Sequence, residues 1–336
     1  MRDGTARRVT AADIAREIGV SRATVGFVLN NTPGQTISSS TRERVLDAAT
    51  RLGYRPHSAA RTLASGRSRL ALLVLPDWPL EFSMRRYLEE ASRVLEEAGY
   101  SLVTYTRHVA APARPLWESL DADIVIGFSP FEPDDLTSLR ASGVGAIFPD
   151  PDLADDFAAS GYANGPRLQV AHLYERGHRR VAFAAPADRR VSTLADERLR
   201  VARQEASALG LPAPDVCPVD YRDGSATEAV RRWRDEGITG VVAYNDDIAS
   251  VVVGAAARAG IAVPEQLAVI GHDDSPLASI FVPTLSSVRV NSGAAGRLVA
   301  LLALRQTDGR ALPPGADRLD ATVIGRESTL GMHAQD

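Results

Sequence analysis

The chain has one cysteine, Cys217, and no lysine: all 38 of its basic residues are arginine. A lone cysteine cannot close an internal disulfide, and no other Cys or His stands beside it at ligand spacing, so neither a disulfide framework nor zinc is expected. Nothing elsewhere suggests a metal or cofactor site. Long apolar runs are also lacking, none approaching the roughly 20 residues that a membrane helix needs. Met1–Thr10 is charged and has no apolar stretch of the signal-peptide kind, so the expectation is a cytoplasmic protein without membrane contact. The usual catalytic signatures are missing too: there is no Gly-x-Ser-x-Gly elbow, phosphate-binding glycine loop, His-Glu-x-x-His or Cys-x-x-Cys. The six histidines are scattered, and Asp273-Asp274, adjacent along a strand, would face opposite ways. No enzyme is expected.

What is present is 336 residues with 45% apolar content, enough for two or three domains with a sizeable core. The net charge of −4 conceals an asymmetry, because Met1–Arg69 carries twelve Arg against five Asp/Glu. That segment is about +7, leaving about −11 for the remainder. Such an excess can be a solvated face or the electrostatic footprint of a DNA-binding module.

The spacing within Thr10–Gly53 predicts three short helices and no strand. Thr10 caps Ala11–Ile18, which stops at Gly19; Ser21 caps Arg22–Leu29; Ser39 or Ser40 precedes Thr41–Leu52, which stops at Gly53. Two short helices joined by a glycine turn, the second rich in small polar residues, form a helix-turn-helix. Its second helix would offer Ser21, Arg22, Ala23, Thr24, Phe27 and Asn30 outward. Arg can read guanine bidentately, and Ser, Thr and Asn can hold phosphates. Tyr54–Arg69 is an Arg- and Ala-rich linker with helical potential. From Leu70 on, apolar runs (Leu70–Leu75, Ile124–Phe128, Val181–Ala185, Gly240–Tyr244, Leu267–Gly271) alternate with amphipathic stretches (Arg85–Ala98, Pro166–Arg176, Leu199–Leu209, Ala226–Glu236, Ile248–Ala259). That alternation means a parallel sheet covered by helices on both faces.

The run Val9-Thr10-Ala11-Ala12-Asp13-Ile14-Ala15-Arg16-Glu17-Ile18-Gly19-Val20-Ser21-Arg22-Ala23-Thr24-Val25, followed by Val28-Leu29-Asn30, resembles the start of LacI/GalR regulators. Gly53-Tyr54-Arg55-Pro56 and Ala60–Ser68 continue the resemblance in register. So do Gly177–Ala182, Asn245-Asp246, Val263-Pro264-Glu265, Gly271–Ala278 and Arg326–Thr329, so that it spans essentially the whole chain. The fold it implies is an N-terminal all-α helix-turn-helix domain (1–53), a hinge (54–69) and an α/β two-lobed core like that of periplasmic binding proteins (70–336). The first lobe would comprise 70–163 with 290–315, the second 164–289 with 316–330.

The resemblance also implies roles. Thr10 and Tyr54 join the recognition-helix residues as candidate DNA contacts, with His57, Ala60 and Leu63 in the hinge. The hinge would become helical only when two chains meet on the operator, since so short a segment cannot hold a helix alone. Leu63 would wedge into the minor groove, bending the DNA. Two departures stand out. Gly26-Phe27 replaces a Ser-Arg common in the family, leaving Phe27 to pack on a thymine methyl or on the helical core, and His57 stands where Asn is usual. In the core, ligands of such folds sit at the carboxyl ends of the strands. There Arg200, Asn245 and Asp273 form the implied effector trio, with Asp150 from the first lobe, and Tyr221 and Trp78 as aromatic faces. Helix capping competes as the explanation for each polar residue. The reading is a homodimeric or tetrameric repressor that binds a pseudo-palindromic double-stranded DNA operator and is controlled by a small-molecule effector, a sugar or related metabolite. Its rivals are a solute-binding protein and a sugar-metabolising enzyme on the same α/β fold.

Overall fold

The computed structural model describes residues 9–29, 32, 34–54, 67–108, 113–150 and 164–330. They divide into two units, Met1–Arg69 and Leu70–Asp336.

In the first unit α1 spans Ala11–Ile18, α2 Arg22–Leu29 and α3 Ser39–Arg51. Thr10 and Asp13 form a reciprocal capping box at the start of α1, satisfying two amide donors that the helix itself leaves open. Gly19 ends α1 at φ 71°, a left-handed conformation that a side chain would strain, and this turns the chain into α2. Ser21 caps α2 through the Thr24 amide at 3.0 Å. The third helix starts earlier than its apolar pattern indicates: Ser38, not Ser39 or Ser40, is its cap, accepting from the Thr41 amide at 3.2 Å. Ile14, Val25, Val28, Val45 and Ala48 meet as a buried core sealed at its margins by Ile18, Val20, Leu29, Leu52 and Tyr54. This is the helix-turn-helix domain.

The second unit contains two sheets. The first comprises β1 (Leu70–Leu75), α4 (Phe82–Glu97), β2 (Ser101–Thr106), β3 (Ile124–Gly127), α5 (Pro133–Ala141) and β4 (Ala146–Phe148), with parallel strands in the order β2-β1-β3-β4. Strand β1 is buried on both faces. Leu73 and Leu75 pack with Tyr87 and Leu95 of α4, while Leu72 and Val74 pack with Trp117 and Leu139. The second sheet follows from α6 (Gly165–Glu175), β5 (Val181–Pro186), α7 (Ser192–Ala208), β6 (Asp215–Val219), α8 (Ser225–Asp235), β7 (Gly240–Ala243), α9 (Asp246–Arg258), β8 (Ala268–His272), α10 (Pro276–Ile280) and β9 (Ser286–Val290). The chain then returns to the first lobe as α11 (Ser292–Asp308), which packs on α4 and β4. It comes back to the second as β10 (Ala321–Ile324), antiparallel to β9, and α12 (Glu327–Leu330). The second sheet runs β10-β9-β8-β7-β5-β6.

Two boundaries differ from the sequence reading in ways that matter for the site. Strand β8 is shifted one residue onward, because the Leu267 amide closes a turn on Ala262 and the ladder begins at Ala268, bonded to Thr239. His272 is thereby the last strand residue. Helix α7 begins at Ser192, seven residues before the expected Leu199, since Leu194 and Ala195 are the only apolar residues of its first two turns.

Candidate effector crevice and DNA-reading helix

The candidate crevice residues follow the carboxyl ends of β1, β4, β7 and β8, the edge where open α/β sheets bind ligands. At its centre is Arg198, in the middle of α7 and buried. Its guanidinium donates to the Tyr244 carbonyl, lies over the Tyr244 ring at 4.5 Å and stands 3.7 Å from Asp273. Asp273 follows β8 at φ 96° and is buried, with its Oδ1 2.6 Å from His272 Nδ1. Burial alone would raise its pKa. The His272 hydrogen bond, the Arg198 charge and the nearby Ser83 hydroxyl outweigh burial and hold the carboxyl below its usual range. Burial and the Arg198 charge push His272 the other way from a charged imidazolium, so the neutral ring donates through Nδ1.

Asn245 caps α9, its Oδ1 accepting from the Ile248 amide at 2.9 Å. Capping and crevice lining are thus compatible in one residue: the amide oxygen serves the helix while its nitrogen remains to donate outward. Glu81 arrives from the first lobe at the start of α4, where its side chain makes no cap for its own helix. Burial and the Asp273 charge, partly offset by Arg198 and Asn245, push its pKa up to about 7. Trp78 meets Phe128 edge-on at 5.3 Å and packs against core side chains of both lobes. Behind the crevice, Asp246 accepts from the Ser275 amide and the Ser287 hydroxyl, each at 2.6 Å, and burial raises it to about 7. Gln169 of α6 donates to the carbonyls of Ala243, Ile270 and Gly271, tying together the ends of β7 and β8.

The structure sets Asp273 3.7 Å from Arg198 and Asn245 next to Tyr244, whose carbonyl Arg198 holds, whereas Arg200 lies elsewhere on α7. Arg200 faces outward, bound to Glu197 at 2.6 Å with its side chain half exposed. Two residues along an α-helix turn the side chain by about 200°, so Arg198 and Arg200 cannot share a face. Tyr221 is 73% exposed and is engaged by its neighbour Arg222, which lies over its ring and donates to its hydroxyl. Asp150 is half-buried and pairs with Arg140 at 3.4 Å. Sequence reasoning missed Arg198, Glu81, Ser83 and His272. Helical phase from a start at Ser192 would have found Arg198, but Glu81 has no signal beyond preceding an amphipathic helix.

On α2, Ser21, Arg22 and Ala23 are exposed, and Thr24 is half-buried with its hydroxyl 2.8 Å from that of Ser21. Phe27 is half-buried and is not among the described side chains that build or flank the three-helix core. The Thr10 hydroxyl is bonded to Asp13, and Tyr54 packs against the core with its amide on the Ala49 carbonyl. Asn30, His57, Ala60 and Leu63 lie outside the described residues. Among the described residues no group of His, Cys, Asp and Glu could hold a metal ion, and no helix is long and apolar enough to cross a membrane.

Comparison with known proteins agrees with both halves. Residues 10–57 match the model for bacterial regulatory proteins of the lacI family, and residues 170–329 match the periplasmic binding protein-like domain. The HTH-type transcriptional regulator CelR of Thermobifida fusca is 30% identical over 339 residues, covering 96% of this chain and 98% of the relative. Among solved structures, a transcriptional regulator CelR–cellobiose complex aligns with TM-score 0.62 at 26% identity, over 96% of this chain and all of that one. The lac repressor dimer bound to operator and the anti-inducer ONPF aligns with TM-score 0.75 at 22% identity, covering 96% of this chain and 99% of that one. The chain belongs to the LacI family of bacterial regulatory proteins. It is a DNA-binding transcriptional regulator, not an enzyme.

Proposed function

We propose that this regulator represses transcription as a homodimer on a pseudo-palindromic operator, and that a polyhydroxylated effector such as a sugar binds between the lobes of its core. The observation that carries the effector reading is the convergence of Arg198, Asn245 and Asp273 at the strand ends. A cation, an amide and a carboxylate fixed at nearly adjoining positions can accept from and donate to successive hydroxyls, while Trp78 offers an apolar face. Two-fold operator symmetry requires two reading heads, so a dimer is the minimum assembly. Ser21, Arg22, Ala23 and Thr24 supply contacts in each head. The CelR–cellobiose complex and the operator-bound lac repressor dimer support this reading by likeness.

A thermal-shift screen of the full chain against sugars, sugar acids and nucleosides tests the effector assignment. A ligand at 100 times its dissociation constant adds about 2.7 kcal/mol of stability. Calorimetry on a hit should then show binding lost in Asn245→Ala. Wild-type affinity in that variant would place the ligand elsewhere. For the DNA assignment, the full chain should bind its operator with a steep salt dependence, and a chain beginning at Leu70 should not. Equal binding by both would remove the reading head from α2.

A further inference from the structure

The crevice follows the carboxyl ends of the second-lobe strands, and the amino ends of the same sheet carry a separate concavity. Arg180 immediately precedes β5, Pro214 immediately precedes β6 and Ile238 lies two residues before β7, so the segments entering three strands border it. Its volume is about 460 Å³, inside the span of roughly 300–1,000 Å³ typical of small-ligand sites. Arg203, exposed on α7, closes one side. Pro212 and Pro214 restrict the backbone that leads into β6, so the wall they form with Val216 is stiff before any ligand arrives.

The acids bordering this concavity are already engaged. Asp215 accepts from the Arg232 guanidinium and from the Trp233 indole at 2.8 Å, and Glu236 stands 3.8 Å from Arg232 Nε. Arg180 and Arg203, by contrast, form no side-chain hydrogen bond or ion pair with any described residue. Arg180 is held over the turn after α8, with its Nη1 3.9 Å from the place a Gly237 Cβ would take. Neighbouring arginines of this lobe do find partners: Arg200 binds Glu197 and Arg190 binds Asp188, each at 2.6 Å. Two unpaired guanidiniums beside an apolar wall form a donor set suited to a phosphate group, because the planar fork of Arg matches two phosphate oxygens at once.

We propose that this concavity binds a phosphate monoester, with Arg180 and Arg203 holding the phosphate and the wall of Pro212, Pro214 and Val216 receiving the organic group. The site is distinct from the crevice. Arg203 stands five residues along α7 from Arg198, a rotation of about 140°, so the two arginines point to different sides of the helix.

Phenyl phosphate is the probe, since its organic group has no hydroxyls for the crevice to hold. Calorimetry on the full chain, at an ionic strength fixed with potassium chloride, should show saturable binding of phenyl phosphate and weaker binding of inorganic phosphate, which lacks the apolar group. Arg180→Gln and Arg203→Gln should each weaken phenyl phosphate binding at least about tenfold, the worth of one hydrogen bond to a charged group. Arg200→Gln, whose guanidinium is already paired with Glu197, should bind as the parent chain does. All three side chains are exposed, so the melting temperature without ligand should stay at the parent value. Binding that does not saturate overturns the proposal, as does parent affinity in Arg180→Gln or Arg203→Gln, the outcome expected if the arginine-rich reading head held the phosphate instead. Equal weakening in Arg200→Gln overturns it too, and inorganic phosphate binding as tightly as phenyl phosphate overturns the assignment of the apolar wall.

Discussion

Gly165→Ala is the smallest change that should damage the crevice from behind. A Cβ on Gly165, the first residue of α6, would lie 2.0 Å from His272 Nε2 and 2.5 Å from its Cδ2. Ordinary contact needs about 3.5 Å, so the ring must retreat by roughly 1.5 Å. It has little freedom to do so, because His272 ends β8, is 1% exposed and is anchored through Nδ1 to Asp273 at 2.6 Å. A retreat of that size breaks the bond. Overpacking costs about 1–3 kcal/mol, and a lost hydrogen bond to a charged acceptor about 1.5–3 kcal/mol. At a helix start the gain from replacing Gly is only a fraction of its interior value of about 1 kcal/mol. The net expectation is a loss of about 2–5.5 kcal/mol in urea unfolding of the full chain, with weakened binding of any crevice ligand. Gly254→Ala is the control: it lies inside α9, where the new Cβ meets nothing closer than Arg258 at 3.5 Å, and it should stabilise by about 0.5–1 kcal/mol. The reasoning also requires non-additivity, since His272→Ala should relieve much of the Gly165→Ala penalty. A Gly165→Ala chain as stable as wild type, or strictly additive changes, would refute it.

Arg198→Ala removes one partner of a buried pair and should cost roughly 3–5 kcal/mol along with the effector response, whereas Arg200→Ala should leave both melting temperature and ligand affinity at wild type. Calorimetry on the two variants separates them. Glu81, held at about 7 against an ordinary 4.5, contributes stability that is complete below pH 4.5 and is lost as pH rises through 7. Glu81→Gln should therefore flatten the fall in melting temperature between pH 5 and 8, and an unchanged slope would assign that fall to Asp246. In the reading head, Gly26→Ala places its Cβ in open space within α2 and should stabilise the domain by about 0.5–1 kcal/mol. Should it also weaken operator binding in a gel-shift titration, Gly26 is there to let DNA approach. Arg22→Ala should cost about 1–3 kcal/mol of discrimination at one base pair, and a uniform loss over all operator variants would mark a phosphate contact instead.

Elements with a strong pattern were readable from the residues alone. Helix α1 begins and ends as its caps dictate, α2 begins at its Ser21 cap, and β1 is the apolar run Leu70–Leu75. The buried strands were legible because in a sheet covered on both faces every residue is apolar, and such runs stand out against amphipathic helices. Ends without a pattern were not legible. Sequence alone does not single out Ser38 as the cap of α3, because Ser38, Ser39 and Ser40 are equivalent in type and only the geometry distinguishes which hydroxyl meets the Thr41 amide. Asn245 and Asp273 follow from motif resemblance and strand ends together; Asp273 stands 3.7 Å from Arg198, and Asn245 follows Tyr244, whose carbonyl Arg198 holds.

The arginine shows why a motif transfers less safely than a position on a helix. In Arg198-Leu199-Arg200 the two arginines are chemically identical, and both belong to α7. What separates them is rotation, and rotation is fixed by the rest of the helix. Ala195, Leu199, Ala202 and Ala206 are buried on the core-facing side of α7, with Arg198 beside them, while Arg200 and Arg203 fall on the solvent side. Read from Leu199 onward, the helix is too short for that stripe to fix its phase, and Arg200 passes for a residue at the helix start. Read from Ser192, the apolar stripe spans nearly the whole helix and admits one arginine at the crevice. Glu81 escaped for a complementary reason. Its raised pKa comes from burial and the Asp273 charge of the other lobe, and no local periodicity encodes which first-lobe side chain will lie near that charge. Candidate crevice residues within one lobe are therefore recoverable from helical phase and strand ends, whereas a neighbour supplied by the other lobe requires the folded chain.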